Sequence, residues 1–106
     1  MARTLITIPA SARRGEVIEI RTLINHAMET GYRRDSDGQM LPRDLIRRFT
    51  CRYDGEIVFS AELHAAISAN PYIAFHTVAT QSGVLSFTWE GDNGFAQTES
   101  RSLVVT

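Results

Sequence analysis

The stretch LIRRFTCRYDGEIVFSAELH, residues 45–64, alternates apolar and polar side chains on both sides of the turn sequence Asp54-Gly55. In EIVFSAELH the apolar side chains recur at every second position, the period at which side chains of a β-strand share one face. The preceding LIRRFTCRY has the same period and places Cys51 on its apolar side. This stretch therefore predicts two antiparallel strands joined as a hairpin.

The length of the hairpin loop determines which residues face each other. A two-residue loop would oppose Cys51 to Val58 and mix the apolar and polar faces. A three-residue loop opposes Cys51 to Ile57 and keeps the apolar residues together. Glycine adopts a left-handed backbone conformation without strain, and Gly55 would end the longer loop. We therefore predict a three-residue loop in which Gly55 is left-handed.

Five further segments read as strands and are bounded by proline, glycine and asparagine residues that favour turns. They cover residues 3–8, 16–24, 72–79, 84–90 and 95–105. The segment SAELHAAISANP also leaves room for one helical turn, because its alanines favour helix. With the hairpin, about seven short strands predict an all-β fold, an antiparallel sandwich.

Length and charge limit the classes of function. A chain of 106 residues holds one hydrophobic core, so residues 1–106 are expected to form a single domain. The formal net charge of -1 gives no long-range attraction to nucleic acid or to an anionic membrane. No apolar window is long enough to span a membrane, and MARTLITIPASARRGEV lacks the apolar stretch of a signal peptide. We therefore expect neither nucleic acid nor membrane as a partner.

The single cysteine and the three histidines are the candidate metal ligands and catalytic groups. Cys51 and His64 lie on opposite faces of the predicted hairpin, while His26 and His76 have no partner at ligand spacing. Cys51 also lies between aromatic residues, where a thiol stays protonated. No glycine-rich phosphate loop or catalytic carboxylate pair is recognisable. The sequence thus predicts no enzyme, no cofactor and no metal.

The segment HAMETGYRRDSDG, residues 26–38, lies in a long connection between predicted strands. That connection has roughly 20 residues, whereas most connections in compact domains have about 4–6. Long loops often carry function, and we predict that this one contacts a partner. Arg33 and Arg34 would attract acidic groups, while Met28 and Tyr32 would bury apolar area. A surface crossover satisfied by its own turns is the alternative.

Aromatic residues of the later strands suggest a second part of that surface. Alternation spreads Tyr72, Phe75, Phe87 and Trp89 over both faces of neighbouring strands, so a single core would not bury them all. Large exposed aromatic side chains are typical anchors of stable interfaces. The predicted partner interface therefore consists of Met28, Tyr32, Arg33, Arg34, Tyr72 and Trp89.

Several segments together resemble the SoxZ family, one half of the SoxYZ carrier complex of bacterial thiosulfate oxidation. They are INHAMETGYRRDSDGQMLPRDLI, AISANPYIAF, SGVLSFTW and the turn EGDNG, in order along nearly the whole chain. One departure is Ala27, where the family is expected to favour proline.

This resemblance implies a non-catalytic subunit with an immunoglobulin-like β-sandwich that pairs with SoxY, and transient contact with other Sox enzymes. SoxY ends in a glycine-rich arm whose cysteine bears the covalent sulfur intermediates. The segment ESRSLVVT has neither glycine nor cysteine and is not such an arm. The resemblance also implies a periplasmic location, reached by co-export with a signal-bearing partner.

Two other classes of function stay open on the sequence alone. One is a free-standing β-sandwich adaptor or ligand-binding module that shares only the turns. The other is a mononuclear metal redox protein.

Overall fold

The computed structural model describes residues 2–106, which form seven β-strands in two antiparallel sheets. In chain order the strands are β1 (Thr4–Thr7), β2 (Val17–Ile24), β3 (Ile46–Tyr53), β4 (Glu56–Glu62), β5 (Tyr72–Val78), β6 (Gly83–Gly91) and β7 (Ala96–Leu103). Each predicted strand is present, and the predicted antiparallel sandwich is confirmed. No helix in this part of the chain has the length and hydropathy to cross a bilayer.

The two sheets enclose a core of aromatic and aliphatic side chains. Sheet I has the strand order β1-β2-β5, and sheet II has the order β4-β3-β6-β7. Phe49 of β3 is fully buried between them. Its ring centroid lies 5.3–6.4 Å from four other aromatic centroids, those of Phe59, Phe75, Phe87 and Trp89. These contacts join β3, β4 and β6 of sheet II to β5 of sheet I.

The β3–β4 hairpin differs from the predicted register. Asp54 and Gly55 alone form the turn, with φ of 49° and 88°, so the left-handed Gly55 is confirmed and the three-residue loop is wrong. A β-bulge beyond the turn shifts the pairing, and Cys51 faces Phe59 rather than Ile57. The extra residue of the bulge again places apolar residues opposite each other, but further along β4 than a three-residue loop would have placed them. Ile57 is consequently exposed.

The connection between β2 and β3 projects from one end of the sandwich. Residues 32–40 are all exposed, and the chain folds back so that Arg34 pairs with Met40. We call residues 29–44 the projecting hairpin. The molecule measures 57 × 21 × 19 Å, and its radius of gyration of 16.0 Å exceeds the roughly 13 Å of a compact chain of similar length. The long connection is therefore an extension of the fold.

Candidate functional site

The base of the projecting hairpin is anchored in the core by Met28. Its side chain is 5% exposed, and its Sδ atom accepts a hydrogen bond from the Ile46 N–H at 3.3 Å. Next to it, Glu29 and Asp44 exchange two backbone hydrogen bonds of 2.9 and 2.8 Å. The prediction that Met28 belongs to a partner interface is therefore wrong, because its apolar area is already buried beneath the hairpin.

Asp92 fastens this base to the turn between β6 and β7. Its Oδ1 atom accepts a hydrogen bond from Arg47 Nε at 2.7 Å, and its Oδ2 atom accepts one from the Leu45 N–H at 3.1 Å. Arg43 Nε lies 3.1 Å from the same Oδ2 atom. The hydrogen bond from Arg47 is the main reason why the pKa of Asp92 lies below its usual value. The projecting hairpin is thus held at a defined position on the sandwich.

The tip of the hairpin is organised by Asp35. Its Oδ1 atom accepts hydrogen bonds from the backbone N–H groups of Asp37 and Gln39, at 2.9 and 3.0 Å. The Asp35 N–H donates to the Gln39 carbonyl at 2.8 Å, and Gly38 adopts a φ of 80°. Aspartate commonly closes turns in this way. Backbone groups at the tip therefore form hydrogen bonds within the hairpin. This was expected if the connection is a surface crossover satisfied by its own turns.

Arg33 and Arg34 are exposed, but each already has a partner within the hairpin. Arg33 Nη2 lies 2.5 Å from Glu29 Oε1, and Arg34 Nη1 donates to the Gly38 carbonyl at 2.7 Å. The hydrogen bond between Arg33 and Glu29 lowers the pKa of the Glu29 carboxyl and raises the pKa of the Arg33 guanidinium. Both arginines are therefore oriented by local contacts, and the charge of Arg33 is partly neutralised.

Tyr32 and Tyr72 present aromatic surface to solvent. Tyr32 is 84% exposed on the projecting hairpin, and Tyr72 is 59% exposed on the outer face of sheet I. Tyr72 faces Leu23 of β2, which in turn faces the exposed Leu5 of β1. We call Leu5, Leu23 and Tyr72 the apolar row. Leu23 was not predicted as an interface residue from the sequence. Its position could have indicated it, because Leu23 follows Glu19 and Arg21 at every second residue of β2 and so lies with these polar residues on the outer face.

Trp89 lies in the core rather than on the surface. Its side chain is 0% exposed, and its ring packs 5.3 Å from that of Phe49. In β6, Leu85, Phe87 and Trp89 alternate with Val84, Ser86, Thr88 and Glu90, and only the first set is buried. This alternation within one strand would have identified Trp89 as a core residue. The prediction that it belongs to a partner interface is wrong.

The outer face of sheet II is polar, in contrast to the apolar row. Thr50 faces Ser60 on one side and Thr88 on the other, and the hydroxyls of Thr88 and Thr98 lie 3.0 Å apart. Beside them, Arg48 faces a glutamate on each neighbouring strand. Polar and charged side chains of this kind do not require a partner chain to cover them. The apolar row that could contact a partner therefore lies on sheet I.

The candidate catalytic groups do not converge. Cys51 is buried, and burial raises the pKa of its thiol to about 12, so the thiol is protonated at neutral pH. His26 has a local role, since its Nδ1 atom accepts the Met28 N–H at 3.0 Å. His76 lies 3.7 Å from Glu19 on the outer face of sheet I. Among residues 2–106, no three side chains of histidine, cysteine, aspartate or glutamate are grouped so that they could hold a metal ion.

Sequence comparison gives one family. The sequence model of the family described as "Sulphur oxidation protein SoxZ" matches residues 6–102. No curated protein matches the sequence.

Solved structures show the same sandwich in distant proteins. The sulfur carrier protein SoxY from Chlorobium limicola f thiosulfatophilum aligns with a TM-score of 0.67 at 12% identity, covering 97% of this chain and 78% of that chain. The superoxide reductase (neelaredoxin) from Ignicoccus hospitalis aligns with a TM-score of 0.76 at 14% identity, covering 99% of this chain and 82% of that chain. At these identities the likeness concerns the fold alone.

Proposed function

Because the chain belongs to the SoxZ family of sulphur oxidation proteins, we propose that it is the non-catalytic partner of a SoxY-like sulfur carrier. The family match over residues 6–102 is the observation that carries this proposal. In the SoxYZ complex the covalent sulfur intermediates of thiosulfate oxidation are then borne by a thiol of the partner. The buried, protonated thiol of Cys51 supports this division of labour, because a thiolate is the reactive form of cysteine.

The proposed partner surface includes Tyr32, Arg33 and Arg34 on the projecting hairpin and Tyr72 on sheet I. Their exposure supports this, as does the fixed position of the hairpin. Aromatic residues and arginines are enriched at the centres of protein interfaces. Other Sox enzymes would contact the assembled complex transiently. The complex would work in the periplasm, where this chain arrives with its signal-bearing partner.

Native mass spectrometry of the untagged protein, taken from the periplasm of cells that express both genes, tests the proposed function. We expect a one-to-one heterodimer with the SoxY-like chain. A monomer would instead support a free-standing adaptor, and bound metal detected by elemental analysis would support a redox protein. Fractionation of cells that lack the partner gene tests co-export, because this chain should then stay out of the periplasm.

We expect Cys51→Ala to leave sulfur-carrier turnover near the wild-type level. The substitution removes one buried sulfur atom and should lower the free energy of unfolding by about 1 kcal/mol. Denaturant unfolding and thiosulfate oxidation by the reconstituted system measure the two effects. Loss of turnover in a complex that is still folded and assembled would show that Cys51 has a chemical role.

Reversing both Arg33 and Arg34 to glutamate is expected to weaken binding of the SoxY-like partner, with a defect that grows as salt is lowered. Attraction to acidic groups becomes repulsion, and exposed charges are less screened at low ionic strength. Binding is measured by titration calorimetry over a range of salt concentrations. Circular dichroism checks folding, because the reversed Arg33 would lie beside Glu29.

Arg13 and Arg14 provide the matched control, since they are also adjacent and exposed but lie outside the projecting hairpin. Their reversal changes the net charge equally and should leave partner binding near the wild-type value. Equal salt-dependent defects in both double variants would assign the effect to net charge. If the variant with both Arg33 and Arg34 reversed binds the partner as tightly as wild type at every salt concentration, these arginines do not steer the partner.

A further inference from the structure

Three of the four edge strands are protected against pairing with another chain. β1 has four residues, and β4 carries the bulge as well as glutamates at both ends. β7 carries Glu99 and Arg101, and beyond its end the backbone of Ala12 bonds to Val104 and Thr106. Short length, charges, bulges and covering segments are the usual protections of a sheet edge.

The fourth edge strand, β5, has none of these protections. Its sequence YIAFHTV contains no aspartate, glutamate, lysine, arginine, proline or glycine. It pairs with β2 in a regular register from Tyr72 to Val78, without a bulge. At about 3.3 Å per residue, such a strand offers an edge roughly 23 Å long.

The hydrogen bonds at the two ends of β5 show which backbone groups face outward. Ile24 N–H donates to the Pro71 carbonyl at 3.3 Å, and Ala79 N–H donates to the Glu16 carbonyl at 2.8 Å. Backbone groups alternate along an antiparallel strand, so residues 73, 75 and 77 also face β2. The N–H and C=O groups of the intervening residues therefore point away from the sheet; these residues are Tyr72, Ala74, His76 and Val78.

Nothing within residues 2–106 satisfies these outward groups. β5 pairs with β2 alone, and the hydrogen bonds of loops and side chains do not reach the four residues. An open groove separates the end of β5 from β4 and is lined by Val58, Thr77, Val78 and Gln81. The flanking Tyr72 and Val78 side chains are 59% and 45% exposed. The edge is therefore accessible to an added strand.

We infer that β5 pairs edge to edge with a strand of the SoxY-like partner, an inference that rests on the proposed function. SoxY from Chlorobium limicola has the same sandwich over 78% of its chain, so two chains of one fold would meet. Such chains can associate about a pseudo-twofold axis through equivalent surfaces, as identical subunits do. Strand addition would satisfy the outward backbone groups of β5, and its exposed Tyr72 and Val78 would flank the joint. It would also join two sheets into one continuous sheet.

Amide hydrogen exchange followed residue by residue tests this pairing directly. In the subunit alone, the amides of Ile73, Phe75 and Thr77 should exchange slowly because they face β2. The outward amides should exchange fast and become at least about 10-fold slower when the SoxY-like partner is added; they belong to Tyr72, Ala74, His76 and Val78. Outward amides that remain fast in a saturated complex would overturn the proposal.

Ala74→Pro tests the same edge pairing by mutation. Proline at this position removes only an N–H that points away from β2. We expect a rise in the Kd for the SoxY-like partner on the order of 100-fold, from the lost hydrogen bond and the obstructed strand. Ser100→Pro in β7 is the control. The Phe95 carbonyl accepts the Gly91 N–H, so by the same alternation Ser100 faces outward at its own edge. Its substitution should leave the Kd within about threefold of wild type.

The outcomes separate this inference from the proposed function. If Ala74→Pro binds the partner as tightly as wild type does, the strand pairing is wrong and the proposed function stands. If wild type does not bind the SoxY-like partner, both are wrong. If the subunit alone dimerises and its outward β5 amides already exchange slowly, a second copy of this chain occupies the edge and the heterodimeric pairing is overturned. Should Ala74→Pro fail to fold, hydrogen exchange in the wild-type complex decides.

Discussion

Replacing Trp89 by alanine is expected to lower the free energy of unfolding of the subunit by about 3–5 kcal/mol, the range for a large aromatic residue removed from a packed core. Trp89 is fully buried and packs against the Phe49 ring, which contacts three further aromatic rings. The cavity would lie at the centre of the sandwich, where neighbouring strands cannot collapse to fill it. Guanidinium or urea unfolding of the subunit without its partner measures the change.

Tyr72→Ala is the matched control for Trp89→Ala. Tyr72 is an exposed aromatic residue of the predicted interface, so its removal should change the stability of the isolated subunit by about 0.5 kcal/mol or less. It should instead weaken binding of the SoxY-like partner. If Trp89→Ala left the subunit as stable as wild type and reduced only partner binding, Trp89 would be an interface residue after all.

Gly91→Ala is expected to lower the free energy of unfolding by about 3 kcal/mol, at the upper end of the usual range for overpacking. A Cβ atom at Gly91 would lie 2.3 Å from the Leu45 carbonyl oxygen and 2.9 Å from Ile46 Cα. Both contacts are with backbone, which cannot yield as a flexible side chain can. Relief would require β6 to move away from β3, and this would disturb the start of the β3–β6 ladder. Thermal and denaturant unfolding measure the effect.

Gly38→Ala separates the steric clash at Gly91 from the general effect of replacing glycine. Gly38 has a φ of 80° and no atom within 4 Å of the added Cβ. Only backbone strain should then appear, at about 1 kcal/mol. Equal losses of stability in the two variants would mean that the sandwich accommodates a methyl group at Gly91. A much larger loss at Gly91 would confirm that the close approach of β3 requires glycine there.

The strands of this protein were predictable because strand formation leaves local signals. Alternation of period two in EIVFSAELH and turn residues such as Asn70-Pro71 lie within a few positions of the structure that they indicate. The register of the β3–β4 hairpin was not predictable in this way. A two-residue turn followed by a bulge and a three-residue loop both align apolar side chains. Phe59 of β4 stacks 4.4 Å from Phe75 of β5 in the opposite sheet, and such a contact between sheets is not encoded in the turn residues of the hairpin.

By itself, the sequence determined the antiparallel sandwich, the burial of Cys51 and the resemblance to the SoxZ family, because each depends on short patterns or on their order along the chain. Only the tertiary structure decided which candidate interface residues are available to a partner. Met28 and Trp89 are enclosed, whereas Tyr32 and Tyr72 face solvent. The unprotected edge of β5 could not be predicted from the sequence either, because strand order depends on pairing between distant segments. Exposure is a property of what the rest of the chain covers, and it is therefore set by contacts that no local pattern contains.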